Sequence, residues 1–344
     1  MTDVVTDVEA GPPAPPPARS AWSAWSKRST WLWAACWVGL FFLVLVALSR
    51  HTDTDRPTIV FLQATTPFLY LPAYVVTVVA GIRKHFVLAG AGLAVVVIHI
   101  ASVLPAMGSD DVPAWAAAAS HMRIVSANVR RENTKTADAA AQLAATAADV
   151  LILVELTPRT WRELSTAGIA VPYKYQSIEL YTGSGGVAVL SKHPIRNDDL
   201  VDRWGLGALS LEVDTGGTWM HVVAVHPTNP THGDGSSWLH DYAVLLDLRR
   251  TLTGPVVIAG DFNGGRWHRP FGRLLASGLR DADEATGRGL SASWPIGGGL
   301  VGLFGPIIRI DHALVSDDVA VLATHDVDLA GSDHRSLVVD IAVR

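Results

Sequence analysis

Three long apolar runs, residues 31–49, 58–80 and 85–104, dominate the first third of the chain. Each has about 19 to 23 residues, enough to cross a bilayer core as a helix. Pro67 and Pro72 interrupt the second run and predict a kink within it. From about His121 onward the texture changes to short apolar runs separated by Gly, Pro, Asn and Asp. These runs predict strands at 123–128, 150–155, 186–190, 209–213, 220–226, 256–260, 309–315 and 336–343. Two amphipathic stretches, 137–148 and 238–251, predict helices. Many strands with few helices between them predict two packed sheets covered by helices on their outer faces, an α/β (α+β) four-layered sandwich that follows the transmembrane helices.

Composition sharpens this division. Of the 344 residues 49% are hydrophobic and only 17% charged, and the mean hydropathy is +0.28, so a wholly water-soluble enzyme is not expected. Residues 1–30 include the string Gly11-Pro12-Pro13-Ala14-Pro15-Pro16-Pro17 and read as a Pro-rich cytoplasmic tail without fixed structure. Residues 31–105 form the three-span segment, 106–120 a linker, and 121–344 a globular domain large enough for its own core. The first run also has features of a signal-peptide core, with Lys27 and Arg28 before it and Ala47-Leu48-Ser49 at its end. Its length and the two runs that follow favour a span. Arg19, Lys27 and Arg28 precede the first span and Arg83-Lys84 separate the second from the third. Both flanks are expected in the cytoplasm, which puts a multi-pass protein in the cell membrane with its globular domain outside. One cysteine, Cys36, excludes an internal disulfide or a multi-cysteine zinc site.

Chemistry concentrates at strand ends, where an apolar run stops and the backbone turns. Asn128 ends the first strand and Glu155 the second. A carboxylate at the end of a buried strand needs a cation or hydrogen-bond donors, although either residue taken alone reads first as a structural strand-end group. In Gly260-Asp261-Phe262-Asn263, an extended backbone points Asp261 and Asn263 to the same side. An acceptor beside an amide donor suits an attacking water and a phosphoryl oxygen; an Asx turn that only closes the loop is the simpler alternative. Ile310-Asp311-His312 and Gly331-Ser332-Asp333-His334 follow, and a carboxylate near a histidine fixes its tautomer for general acid–base work.

Taken in order, Asn128, Glu155, His226 in His226-Pro227, Asp261-x-Asn263, Asp311 and Ser332-Asp333-His334 resemble the endonuclease/exonuclease/phosphatase superfamily of metal-dependent phosphoesterases, over about residue 122 to the C-terminus. The resemblance implies that Glu155 is the principal magnesium ligand, with Asn128 and Asp333 near the metal. It implies that Asp261 orients or deprotonates the attacking water, that Asn263 steadies a phosphoryl oxygen, and that His334, oriented by Asp311, is the general acid or base. His226 matches the second histidine of the secreted-nuclease and sphingomyelinase branches, where some DNA-repair members carry tyrosine. Phosphoryl transfer needs charge neutralisation by a hard, oxygen-ligated cation, so Mg²⁺ or Mn²⁺ is expected ahead of zinc.

Charge bears on the substrate. From Met122 to the C-terminus 20 Lys and Arg face 25 Asp and Glu, about -5 net, which disfavours a nucleic acid bound by bulk electrostatics. Arg130 and Arg131 after the first strand, and Arg266 after the Asp-x-Asn loop, are either phosphate contacts or solvated loop charge; Lys192 and His193 read as surface groups. The Gly-rich apolar run 294–308, with Trp294 and Phe304, is either a hydrophobic lip beside the site or an ordinary buried loop. The layout of three spans and an extracytoplasmic domain resembles VanJ-type teicoplanin-resistance membrane proteins, which implies a lipid-linked phosphate or pyrophosphate of the cell envelope as substrate, with the bilayer as partner. An extracellular nuclease, a phospholipid or sphingomyelin phosphodiesterase, and a non-catalytic membrane binding module are the alternatives.

Overall fold

The computed structural model describes residues 21–201, 207–231, 235–297 and 305–344. Twelve strands follow in chain order: β1 (Ser120–Asn128), β2 (Val150–Val154), β3 (Tyr175–Glu179), β4 (Val187–Ser191), β5 (Ile195–Val201), β6 (Gly207–Asp214), β7 (Trp219–His226), β8 (Val256–Asp261), β9 (Arg280–Asp281), β10 (Asp311–Val315), β11 (Val319–Asp328) and β12 (Arg335–Val343). They build two six-stranded mixed sheets, ordered β11-β12-β1-β2-β4-β3 and β5-β6-β7-β8-β10-β9. The parallel pairs are β1–β2 and β7–β8, each joined by a crossover helix.

The helices are α1 (Ala21–Ser49), α2 (Pro57–Ala64), α3 (Thr66–Leu69), α4 (Leu71–Ile82), α5 (Phe86–Val103), α6 (Thr136–Ala145), α7 (Pro158–Thr166), α8 (Ser236–Thr251), α9 (Arg269–Ala276) and α10 (Ala282–Ala285). Successive residues of a strand point to opposite faces, and β2 shows how both faces are used. Val150, Ile152 and Val154 pack between the sheets against Val222, Ala224 and Val257, while Leu151 and Leu153 meet Leu143 of α6 and Leu164 of α7. Burial on both faces explains the unbroken apolar run of this strand. The outer face of the second sheet is covered by Trp238 and Tyr242 of α8 and by Phe271 and Leu274 of α9. The result is the α/β/β/α sandwich expected from the strand pattern. Phe271 is fully buried, so Phe271→Ala is expected to cost about 3–5 kcal/mol in denaturant unfolding; a change within ±0.5 kcal/mol would mean the layer is not packed as described.

Of the three apolar runs, the first and third are single helices long and apolar enough to cross a membrane, within Thr30–Ser49 and Phe86–Met107. The second is not one kinked helix. Pro57–Ala64 and Thr66–Ile82 meet at a 71° bend, with the break at Thr65, ahead of Pro67. Pro67 has no N–H to donate to the preceding turn and is accommodated in the first turn of the new helix, so the break falls just upstream of it. The Arg83-Lys84 turn lies at the far end of the helical bundle, where His85 contacts the Trp33 ring at 4.2 Å. At the near end the bundle docks on the sandwich: Trp267 packs with Val103 and Ala106, and the Arg50 guanidinium lies 5.4 Å from the Trp267 ring centre.

Candidate active site

Parallel strands leave polar residues at their carboxyl ends, and both parallel pairs end at the same edge of the sandwich. Asn128 closes β1 and Glu155 follows β2; His226 closes β7 and Asp261 closes β8. The antiparallel strand β10 begins opposite, with Asp311 in register with Asp261, and His334 immediately precedes β12. Residues distant in sequence therefore converge because four strands end and two begin at one edge. Gly260 is required there: its φ is 153° and a Cβ would collide with the Val225 carbonyl oxygen of the neighbouring strand. Glu155 itself has φ 57°, a left-handed conformation costly for a non-glycine residue and concentrated at functional sites.

Asn128 sits between two carboxylates. Its Nδ2 donates to Glu155 Oε1 at 3.1 Å and to Asp261 Oδ2 at 3.0 Å, and its Oδ1 accepts from the Arg130 amide at 2.9 Å. The second Glu155 oxygen accepts from the Arg131 amide at 3.1 Å. Asp261 Oδ1 accepts from the Asn263 amide at 2.8 Å, and Asn263 Nδ2 donates to the Pro227 carbonyl at 2.9 Å. Asp261 Oδ2 lies 3.5 Å from His226 Nε2 and 3.7 Å from His334 Nε2. His226 is oriented by its Nδ1–H, which donates to the Ser184 carbonyl at 2.8 Å, and His334 by its Nδ1–H, which donates to Asp311 Oδ2 at 2.9 Å.

This packing sets the charge states. Burial alone would raise the Asp261 carboxyl, but the facing His334 and His226 hold it at about 2. Burial pulls the His334 imidazole down, yet Asp311 and Asp261 outweigh it and lift the group to about 10. His226 is shifted upward as well, its burial offset by Asp261 and Glu155. An imidazolium at His334 thus faces an ionised Asp261 at neutral pH, with the upward-shifted His226 beside the same carboxylate, an arrangement suited to an anionic substrate group.

The donor set fits a divalent cation. Asp261, Asp311 and His334 each place a ligand atom within 4.8 Å of the others, but Asp311 and His334 are engaged with one another, which leaves Asp261 with Glu155 and Asn128 as the oxygen donors. The Glu155 carboxylate is nearby with its side chain 20% exposed, open to the cleft. Carboxylate oxygens outnumber nitrogens, and one or two carboxylates with room for water is the way Mg²⁺ is usually held.

A cleft of about 740 Å³ opens over this floor. Arg130, Arg131, Trp294 and Asp333 lie on it. Asp333 is on the rim, where it accepts from Trp294 Nε1 at 3.2 Å and faces Arg130 Nε at 3.9 Å. Arg266, expected as a phosphate contact, does not line the cleft: both ends of its guanidinium are taken by Glu284. Phe304, the other expected contact, lies outside the described residues. Lys192 is a surface group paired with Asp149 at 3.1 Å. Among the cleft residues without a signal in the local sequence pattern are Val60, Phe61 and Ala64 of α2.

Residues 125–334 match the Endonuclease/Exonuclease/phosphatase family. Solved structures share the fold at low identity. Danio rerio TDP2 complexed with a single-strand DNA product is 17% identical with TM-score 0.54, covering 65% of this chain and 100% of that one. The 3′ phosphatase NExo from Neisseria, bound to a product DNA hairpin, is 20% identical with TM-score 0.53, covering 63% and 98%. An AP endonuclease from Archaeoglobus fulgidus is 15% identical with TM-score 0.52, covering 63% and 98%. No curated protein sequence matches the chain.

Proposed function

Because this chain belongs to the endonuclease/exonuclease/phosphatase family, whose members are generally metal-dependent phosphoesterases or nucleases, we propose that it is a Mg²⁺- or Mn²⁺-dependent phosphoric ester hydrolase acting on a phosphate or pyrophosphate carried by a membrane lipid. One observation carries the substrate reading. The apolar helices dock beside the loop that bears Asp261 and Asn263, through Trp267 against Val103 and Ala106, so the reacting groups lie next to the segment that would enter the bilayer. The negative balance of the globular part points the same way, since a polyanion would be bound through bulk basic charge.

The chain's own residues supply most of the chemistry. Glu155, with Asp261 and Asn128 beside it, would hold the cation, which neutralises phosphoryl charge when bound. Asp261, ionised under all ordinary conditions, orients an attacking water by accepting its hydrogen bond. His334, kept protonated by Asp311, presents its Nε2–H to a phosphoryl or leaving oxygen, and His226 Nε2 faces the same Asp261 oxygen at 3.5 Å. Asn263 has one amide hydrogen committed to Pro227, and the other, without a partner among the described residues, is available to a non-bridging oxygen.

The orientation reading puts the catalytic domain outside the cytoplasm, supported by the basic turn Arg83-Lys84 at the bundle's far end, which together with the basic residues ahead of the first span outweighs Arg50 and Arg56 on the domain's side. A role in glycopeptide resistance through envelope intermediates is compatible with that placement. Val171 is 85% exposed on the catalytic domain. With the single cysteine removed as Cys36→Ala, Val171→Cys is expected to react with a membrane-impermeant thiol reagent in intact cells; labelling only after lysis reverses the orientation. The function is tested by incubating the purified full chain with a polyprenyl pyrophosphate, a phospholipid and DNA side by side in Mg²⁺. Preferred hydrolysis of the lipid pyrophosphate is expected, and faster cleavage of DNA would return the protein to the nuclease branch.

A further inference from the structure

α2 is built into the catalytic domain more tightly than a connector between spans needs to be. Val60 is buried in the outer core with Trp238 and Tyr242, and Ala64 packs with Ile308 and Ile310, next to Trp294. The Val60 carbonyl accepts from His268 Nε2 at 3.0 Å, and His268 Nδ1 accepts from the Gly265 amide at 2.9 Å. Burial holds that imidazole down at about 4, so it is neutral and its single N–H points to α2. Ahead of α2, Asp53 accepts from Arg273 of α9 at 2.5 Å. The helix is therefore fixed in position relative to the loop that carries Asp261 and Asn263.

That position gives the cleft two unlike sides. Its floor is Glu155, Asp261 and His334, and its wall includes Phe61 and Ala64 on α2 with Trp294 and Ile308 beside them. Phe61 is 41% exposed although it is a large apolar residue. An acidic and imidazolium floor beneath an apolar wall matches a molecule with one phosphorylated end and a hydrocarbon body. A polynucleotide repeats its charge at every residue and would place phosphates against Phe61 and Ile308.

We propose that α2 is the hydrocarbon-binding wall of the active site: the substrate's chain lies along Phe61 and Ala64 while its phosphate reaches Asp261 and His334. The inference rests on the lipid-phosphate reading above and adds that the bent helix pair is part of substrate recognition as well as of the anchor. Chain length then governs turnover, because each methylene buried against the wall is worth about fourfold in kcat/KM.

The test uses the full chain in detergent micelles and a series of n-alkyl phosphates from butyl to hexadecyl. In the wild type kcat/KM rises with chain length and then levels off. In Phe61→Ser the hexadecyl-to-butyl ratio falls about tenfold or more, while in Val171→Ser, on the exposed face of the domain, the ratio stays at the wild-type value. An equal ratio in Phe61→Ser and the wild type overturns the proposal and leaves a phosphoesterase whose chain specificity lies elsewhere. A second measurement does not depend on turnover: a hexadecyl phosphonate with a terminal diazirine is photolysed on the wild-type protein. Adducts on Pro57–Ala64 are expected. Adducts confined to α1 or to the outer helices overturn the proposal, whereas adducts on α2 without hydrolysis of any alkyl phosphate would preserve the binding wall and overturn the reaction assigned above.

Discussion

Glu155→Gln lowers turnover of a lipid pyrophosphate by about 10³-fold or more, with the thermal unfolding midpoint close to that of the wild type. The carboxylate accepts from Asn128 Nδ2 and the Arg131 amide and leaves an exposed edge on the cleft. The amide variant keeps the size and the acceptor oxygen but removes the charge that a hard cation requires. The fold does not depend on that charge, because the core between the sheets is formed by Ile124, Ile152, Val222 and their neighbours, remote from the cleft floor. Steady-state kinetics beside a melting curve separate the two effects. A variant with near-normal turnover would remove Glu155 from the reaction, and one that fails to fold would give it a structural role.

Asp311→Asn is expected to reduce kcat by about 10²–10⁴-fold and to lower the His334 pKa. Asp311 is buried, its backbone N–H donates to Ser293 Oγ at 3.2 Å, and its Oδ2 holds the His334 Nδ1–H at 2.9 Å. In the native protein burial works against the imidazolium, and Asp311 leads the groups that keep it charged up to about pH 10. Without the carboxylate, burial gains ground and the folded-state pKa falls. The raised value also stabilises the fold: that contribution is complete below the unfolded pKa of about 6.5 and is lost as pH rises through about 10. The variant therefore loses stability most at neutral pH and below. Titration of the metal-free protein followed through the imidazole resonance, together with kcat, checks both halves. An unchanged pKa would mean that Asp261 alone keeps His334 charged.

The sandwich was legible where burial is two-sided. The apolar runs 150–154 in β2, 187–190 in β4, 222–225 in β7 and 256–259 in β8 are unbroken because each face meets a packed layer. Strands at sheet edges carried no such signal. β5 is Ile-Arg-Asn-Asp-Asp-Leu-Val and mostly exposed, and β11 is broken by a register shift between Val321 and Ala323; polar and irregular edges resist pairing with other chains. α7 left a trace that pattern reading passed over. Thr157 caps it through a side-chain bond to the Thr160 amide and Pro158 opens it, both start signals for a helix.

The site residues at strand ends were visible because a polar group closing an apolar run needs a reason. The contribution of α2 was not, since nothing near Phe61 in sequence refers to Trp294 or to His268. Arg266 shows the opposite failure. Its place after the Asp-x-Asn loop suggested a phosphate contact, and only the fold reveals Glu284 as its partner.

Metal dependence on a lipid-linked substrate is the central claim, and chelation tests it most directly. Purified full-length protein in detergent is stripped with excess EDTA, assayed for phosphate release from a polyprenyl pyrophosphate, and then resupplied with Mg²⁺ or Mn²⁺. Release should cease on chelation and recover on resupply in the wild type, with no recovery in Glu155→Gln. Undiminished phosphate release in excess EDTA would contradict the account.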